Sequence, residues 1–197
     1  MRGTYLAIGS MTMLFAFNEF ARATVTVYTN WPNNPNAQSQ WQAAAGSYST
    51  ISFTELPNNT LIVDQYAELG VHFTDGSDYT YHSNSFVTDG AGLNGAFTET
   101  TLNFDAAMFS IAIDFPGTKG IQLFYQGSLT YTSPLLGSGG TGFFAGLIST
   151  DPFDAVLLYN PFGDLFVDNL YFGPQIPAPG GLALLAFVGA RSIRRRH

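Results

Sequence analysis

The chain has 197 residues and no cysteine, so neither disulfides nor thiolate metal sites can form and its stability must come from burial. Residues 24–175 contain one lysine and thirteen acidic residues, which gives this part a formal charge of −12. That charge argues against nucleic acid as a partner, and it disfavours anionic lipid or acidic polysaccharide unless a divalent cation bridges the two.

The first 23 residues have the features of a secretory signal peptide. Arg2 supplies positive charge, an apolar stretch follows over residues 5–17, and Ala21 and Ala23 form a small-x-small cleavage site. The apolar stretch is shorter than a transmembrane helix needs. We therefore expect an exported chain whose mature part is one domain over residues 24–175.

The mature part is expected to begin with a short strand over residues 24–28 and one helix. The helix is rich in Ala and Gln over residues 37–45, with Asn34 as its N-cap and Gly46 at its C-terminal end. Trp41 lies on the apolar face of this helix. It is therefore predicted to pack the helix against the rest of the domain.

From residue 47 onward, apolar and polar residues alternate as they do in β-strands. Predicted strands cover residues 50–55, 60–63, 70–74, 85–88, 98–104, 108–115, 120–126, 128–132, 142–149, 153–159 and 164–172. Ile111 and Ile113 point one way and Ala112 the other, which predicts a half-buried sheet. Gly- and Pro-containing turns separate the strands. This pattern predicts an all-β fold, an antiparallel β-sandwich of the jelly-roll type with one short packed helix.

The last 22 residues combine a proline turn, an apolar run and terminal arginines. This tail resembles the sorting signal of PEP-CTERM proteins, which exosortase-type membrane enzymes recognise and cleave. The corresponding residues here are Pro177, Ala178, Pro179, Arg194, Arg195 and Arg196. That family has Glu where this chain has Ala178. The resemblance implies export through the inner membrane, transient anchoring by the tail over residues 176–197, and delivery to the outer surface or the exterior. An ordinary tail anchor or a buried last helix is the alternative.

Short motifs of the mature part also occur in an order that resembles a recurrent domain of PEP-CTERM surface proteins. After the Trp-containing helix come residues 51–57, 66–73, 142–149 and 166–173. The resemblance implies a lectin-like sandwich, related in architecture to carbohydrate-binding modules.

A structural calcium site is one hypothesis that this likeness supports. Glu55 ends an early predicted strand, Asp168 lies in the last one, and these strands are commonly neighbours in carbohydrate-binding jelly rolls. Their carboxylates, with Asn169 and backbone carbonyls, would give the oxygen ligands that Ca²⁺ prefers. The alternative is that both acids are simply solvated.

A carbohydrate site is predicted in the most polar and aromatic loop of the chain. Tyr79 and Tyr81 would stack on a sugar ring, while Asp78 and Asn84 would bind its hydroxyl groups. Asp75 and Asp78 could instead hold a second calcium ion. The alternative is an ordinary turn followed by a strand whose tyrosines pack.

Catalytic motifs are absent from the sequence, which has no G-x-S-x-G elbow, no H-E-x-x-H and no cysteine nucleophile. Residues 137–142 fit G-x-G-x-x-G literally, but a strand is predicted to follow them, so we interpret them as a hairpin loop. The expected function is non-enzymatic binding of carbohydrate or exopolysaccharide, or a structural role in the extracellular matrix. The alternatives are a glycan-active hydrolase or lyase and a calcium-dependent adhesive protein–protein module.

Overall fold

The computed structural model describes residues 24–74, 78–82, 90–95 and 98–174. More than half of these residues lie in antiparallel strands, and one short α-helix accompanies them, so the predicted all-β class is confirmed. The predicted signal peptide and sorting tail lie outside the described residues. Within the described ranges, no helix is long and apolar enough to cross a bilayer.

The described residues contain one α-helix, α1 (Ala37–Ala45), and one 3₁₀ turn (Ala67–Leu69). In chain order the strands are β1 (Val25–Thr29), β2 (Ser49–Ile51), β3 (Val71–Phe73), β4 (Tyr79–Tyr81), β5 (Gly92–Gly95), β6 (Glu99–Phe115), β7 (Thr118–Tyr125), β8 (Ser128–Thr132), β9 (Leu136–Gly137), β10 (Phe143–Tyr159), β11 (Leu165–Val167) and β12 (Leu170–Gly173).

Two 17-residue strands, β6 and β10, organise the main sheet by pairing with each other twice. Residues 143–148 of β10 pair with residues 110–115 of β6, and residues 155–159 pair with residues 99–103. The register shifts between the two stretches, as it does at a β-bulge. Each long strand was predicted as two separate strands, and those breaks are wrong because each strand continues through the shift of register.

The other strands attach to one or the other stretch of this pair. The first sheet half comprises β1, β2, β12 and the paired stretches 143–148 and 110–115, whereas the second comprises β3, β7, β8 and the remaining paired stretches. One apolar core contains Ile111 and Leu147 from the first half together with Leu102 and Val156 from the second. This shared core is consistent with a β-sandwich.

Helix α1 covers the outer face of the first sheet half. Trp41 is fully buried there, in a second apolar cluster with Ala112 and Phe144, and its Nε1 donates a hydrogen bond to the Leu147 carbonyl at 3.2 Å. The predicted role of Trp41 is confirmed. The prediction that this sheet is half-buried is wrong, because the helix buries Ala112 while the core buries Ile111 and Ile113 on the other face.

Several predicted boundaries differ from the structure. The helix is preceded by Asn36 rather than capped by Asn34, and Asn36 makes no side-chain cap bond. The strand predicted at 50–55 shortens to β2, the one at 164–172 splits into β11 and β12, and 60–63 contributes only a bridge from Leu61 to Tyr79. Strand β4 corresponds to the strand in the alternative given for Tyr79 and Tyr81, whereas β5 and β9 were not predicted. The strand at 85–88 lies outside the described residues.

Candidate functional site

A three-stranded sheet, in the order β11–β5–β4, carries the two tyrosines of the predicted carbohydrate site. Its strands place Tyr79 opposite Asn94, and Asn94 opposite Phe166. One face contributes buried residues such as Leu93 to the core. The other face presents a set of residues that we call the aromatic face. They are Tyr79, Tyr81, Asn94 and Phe166.

On the aromatic face, two rings pack together and the amide of Asn94 is buried beside them. The rings of Tyr81 and Phe166 lie 5.4 Å apart between centroids. Asn94 is only 6% exposed, and its Nδ2 donates a hydrogen bond of 2.8 Å to the Tyr79 hydroxyl. Its Oδ1, in contrast, is buried and accepts no hydrogen bond from any described residue. Such an acceptor costs free energy until a donor reaches it.

Of the two polar residues predicted to bind a sugar, the structure describes only Asp78. Asp78 precedes β4 and is completely buried, and its Oδ2 accepts a hydrogen bond from the Thr100 hydroxyl. Its carboxylate therefore lies inside the protein rather than on the aromatic face. Asn84 lies outside the described residues, and so does Asp75.

A cavity of about 300 Å³ adjoins the aromatic face, because Phe166 is also part of its wall. We call it the Lys119 cavity. Its lining residues are Pro116, Gly117, Lys119, Gly140, Thr141, Asn160, Asp164 and Phe166. The Asn160 side chain is already engaged, since its Oδ1 accepts from the Phe162 backbone N–H and its Nδ2 donates to the Asp164 carbonyl. The polar side chains left for a ligand are therefore those of Lys119, Thr141 and Asp164.

Lys119 is the single lysine of the chain and is only 1% exposed. Its Nζ donates to the Pro116 carbonyl at 2.7 Å and lies 3.4 Å from the Thr118 carbonyl. Burial lowers the pKa of Lys119 to about 8, because the charged form loses hydration. In the described part of the chain, no carboxylate oxygen lies within 4.0 Å of its Nζ.

None of the three predicted calcium ligands lies within a strand, since Glu55 follows β2 and both Asp168 and Asn169 lie between β11 and β12. The strands β2 and β12 are nevertheless neighbours, because Ile51 pairs with Leu170. The side chains of the predicted ligands have different partners, however. Glu55 is exposed. Burial of Tyr66 raises the pKa of its hydroxyl group, and the nearby Glu55 raises it further. Asn169 donates its Nδ2 to Asp114 at 3.3 Å. Among the described residues, no group of three or more His, Cys, Asp or Glu side chains is placed to hold a metal ion.

Asp168 is 2% exposed and lies close enough to Asp114 for the two carboxylates to repel each other. Burial raises the pKa of Asp114, and the nearby charge of Asp168 raises it further. Hydrogen bonds from Tyr171, at 2.6 Å, and from Asn169 act in the opposite direction. A second cavity of about 240 Å³, lined in part by Asp114 and Gln38, opens beside this group. The spacing of Asp114, Asp168 and Tyr171 in the sequence does not predict that their side chains meet.

Comparison of the chain with models of known protein families and with curated proteins gives no match. Asn94 and Phe166 were missed as site residues because no motif marks them. They come together only when β5 pairs with both β4 and β11. Lys119 was noticed only as the single basic residue of the domain, and its burial beside a cavity depends on the three-dimensional fold.

Proposed function

We propose that the chain is an exported, exosortase-sorted surface or extracellular protein whose domain binds carbohydrate without transforming it. On this proposal the domain is a lectin-like β-sandwich of the jelly-roll type. The observation that carries the binding function is the aromatic face itself, where the partly exposed rings of Tyr79, Tyr81 and Phe166 lie around the Asn94 amide that holds the Tyr79 hydroxyl. A hydroxyl-rich ligand suits such a face, because its apolar ring face can stack on aromatic rings while its hydroxyls bond to tyrosine hydroxyls.

The charge of the domain supports a neutral sugar over an acidic polymer. The aromatic face contains no charged side chain, whereas the mature part as a whole carries a formal charge of −12. A polyanion would be repelled at every approach, and a neutral sugar would not. Stacking on Tyr79, Tyr81 or Phe166 needs no charge on the ligand.

A glycan array probed with the purified chain tests this proposal. Asn94→Leu removes, at similar volume, the amide that holds the Tyr79 hydroxyl in place, so we expect it to fold and to lose affinity by roughly tenfold, the value of about one hydrogen bond. The double variant Tyr79→Ala/Tyr81→Ala should lose retention on bacterial exopolysaccharide, whereas Tyr125→Ala, on β7, should retain it.

The outcomes of these measurements separate the alternatives. Unchanged binding by Asn94→Leu and by the double variant would reject the aromatic face as the site. A chain that binds no glycan at all would reject carbohydrate binding and favour the adhesive module. Turnover of the glycan would favour the glycan-active hydrolase or lyase.

Sorting by the tail is proposed from the sequence of residues 176–197. Cleavage near Pro177 and Pro179 would remove all the basic residues of the mature chain except Lys119, and with them its attraction to the membrane. A chain ending at Gln175 should therefore be recovered in the periplasm or medium, and the full chain transiently in the membrane fraction. Persistent membrane association of the shortened chain would contradict this proposal.

A further inference from the structure

Lys119 places a buried positive charge at the Lys119 cavity, and no carboxylate of the described residues is its counter-ion. Ion pairs normally offset the cost of burying an ammonium group, and an ammonium without one remains destabilising. Lys119 has two backbone carbonyls as hydrogen-bond partners, and one of these contacts is long, at 3.4 Å. Among the described residues, these carbonyls are the only hydrogen-bond acceptors of its three N–H donors, and the ring of Phe115 lies 5.8 Å from Nζ as a cation–π partner.

The wall of the cavity leaves room beside this ammonium group. Gly117 lines the cavity, and a Cβ atom built on it would lie 3.7 Å from Nζ of Lys119. Gly117 has a φ of +71°, a conformation that disfavours any larger residue there. Glycine therefore keeps the space next to the charge open.

We propose that the Lys119 cavity binds the carboxylate group of a small organic acid, of which a sugar acid is one example. The carboxylate would accept the remaining N–H of Lys119 and supply the missing counter-charge. This is a second site, separate from the neutral-sugar surface under Proposed function, and it shares only Phe166 with that surface.

The size and remaining charge of the cavity select a small acid with one carboxylate. A volume of about 300 Å³ is at the lower limit of ligand pockets and accommodates one ring-sized molecule. Phe166 supplies an apolar surface for such a ring. Asp164, also in the wall, and the strongly negative domain would repel a second carboxylate or an acidic polymer.

The single lysine makes a direct test possible. In the full chain labelled with ¹³C,¹⁵N-lysine, the Cε resonance belongs to Lys119 alone. D-glucuronate and acetate should each shift it saturably, whereas D-glucose and sodium chloride at matched ionic strength should not. A stronger effect of glucuronate than of acetate would assign the ligand to sugar acids, and equal effects would assign it to small carboxylates in general. Equal shifts with glucose or chloride, or no saturable shift, would overturn the proposal.

Replacing the buried Lys119 could disturb folding, so the variants are placed in the exposed loop before β10, where Lys119 stays unchanged. Thr141→Trp should fill the cavity and weaken glucuronate binding at least tenfold, whereas Gly139→Trp, on the same loop but outside the lining, should not. Asp164→Asn should tighten binding several-fold by removing a like charge. Unchanged affinity in Thr141→Trp would place the acid elsewhere and contradict the proposal.

Discussion

Single residues decide how closely helix α1 approaches the sheet. Gly146 lies in β10 directly beneath the ring of Trp41, and any Cβ there would overlap the ring. Gly120 in β7 lies in the same way beneath Tyr159. The two rings differ in their freedom to move, since Trp41 is fully buried and Tyr159 is only half-buried.

Gly146→Ala is therefore expected to destabilise the protein by about 1–3 kcal/mol, the usual cost of overpacking a rigid interior. Gly120→Ala is the matched control, and it should cost clearly less because Tyr159 can swing toward solvent. Denaturant unfolding of both variants measures the difference. Equal losses would show that Trp41 moves as readily as Tyr159.

His72 joins two acidic residues on the surface. Its Nδ1 lies 2.7 Å from an oxygen of Asp64, and its Nε2 lies 3.1 Å from an oxygen of Asp105. The hydrogen bond to Asp64 makes the largest contribution to raising the pKa of His72, and Asp105 adds to it. The protonated ring can donate to both carboxylates at once.

Because the pKa of His72 is raised by folding, its stabilising effect is complete below the ordinary value of 6.5 and disappears as the pH rises through the raised value. His72→Gln should therefore lower the denaturant midpoint more at pH 5.5 than at pH 9. His82→Gln, at an exposed position, is the matched control for the loss of an imidazole. An effect of His72→Gln that is the same at both pH values would contradict a role for the imidazolium.

At the scale of elements, Trp41 is the largest of the buried side chains that hold helix α1 on the sheet. Trp41 contacts the rings of Tyr48, Phe144 and Tyr171, with centroid distances of 5.2, 6.1 and 5.9 Å. The helix lacks a side-chain cap and has no acidic residue in its first turn. Packing must therefore supply the stability that capping does not.

Trp41→Ala is expected to cost about 3–5 kcal/mol, as truncation of a buried aromatic residue does. Trp31, the other tryptophan of the chain, is 40% exposed, so Trp31→Ala should cost far less. Chemical denaturation, followed by circular dichroism because the variants differ in fluorescence, compares the two. A loss below about 1 kcal/mol for Trp41→Ala would mean that α1 is held by other contacts.

The alternation of the sequence predicted most strands, but it could not distinguish a turn from a bend within a strand. Residues 105–107 and 150–152 are small, polar or proline, as turn residues are, and yet β6 and β10 continue through them. A turn between two strands and a bend within one strand both leave the chain exposed at that point, and so both favour the same residue types. Only the pairing partner on each side decides between them, and that partner is distant in the sequence.

The candidate sites were harder to predict than the fold for the same reason. Tyr79 and Tyr81 could be selected because local sequence groups them with polar residues. Asn94 and Phe166 acquire a role because β5 pairs with β4 and β11, and Lys119 acquires one because its side chain is buried at the start of β7. Side chains that form a site by long-range pairing leave no spacing pattern in the chain.

The charge of the whole molecule determines how its stability should respond to ions. Between residues 24 and 175, thirteen acidic residues and one buried lysine make the compact state repel itself, so added salt should stabilise it. Screening changes strongly at low concentration, because the Debye length falls from roughly 30 Å at 0.01 M to about 8 Å at 0.15 M salt. A calcium ion at Glu55, Asp168 and Asn169, which remains a proposal, would act in addition to this general effect.

Melting the protein in calcium chloride, in sodium chloride of equal ionic strength and in chelator separates these two effects. A specific site should raise the melting temperature in calcium beyond its value in sodium, because the ion would also offset the repulsion between Asp168 and Asp114. Asp168→Asn should abolish this difference, and Asp151→Asn, at an exposed position, should retain it. Identical melting temperatures in calcium and sodium would remove the calcium site and leave screening as the whole effect.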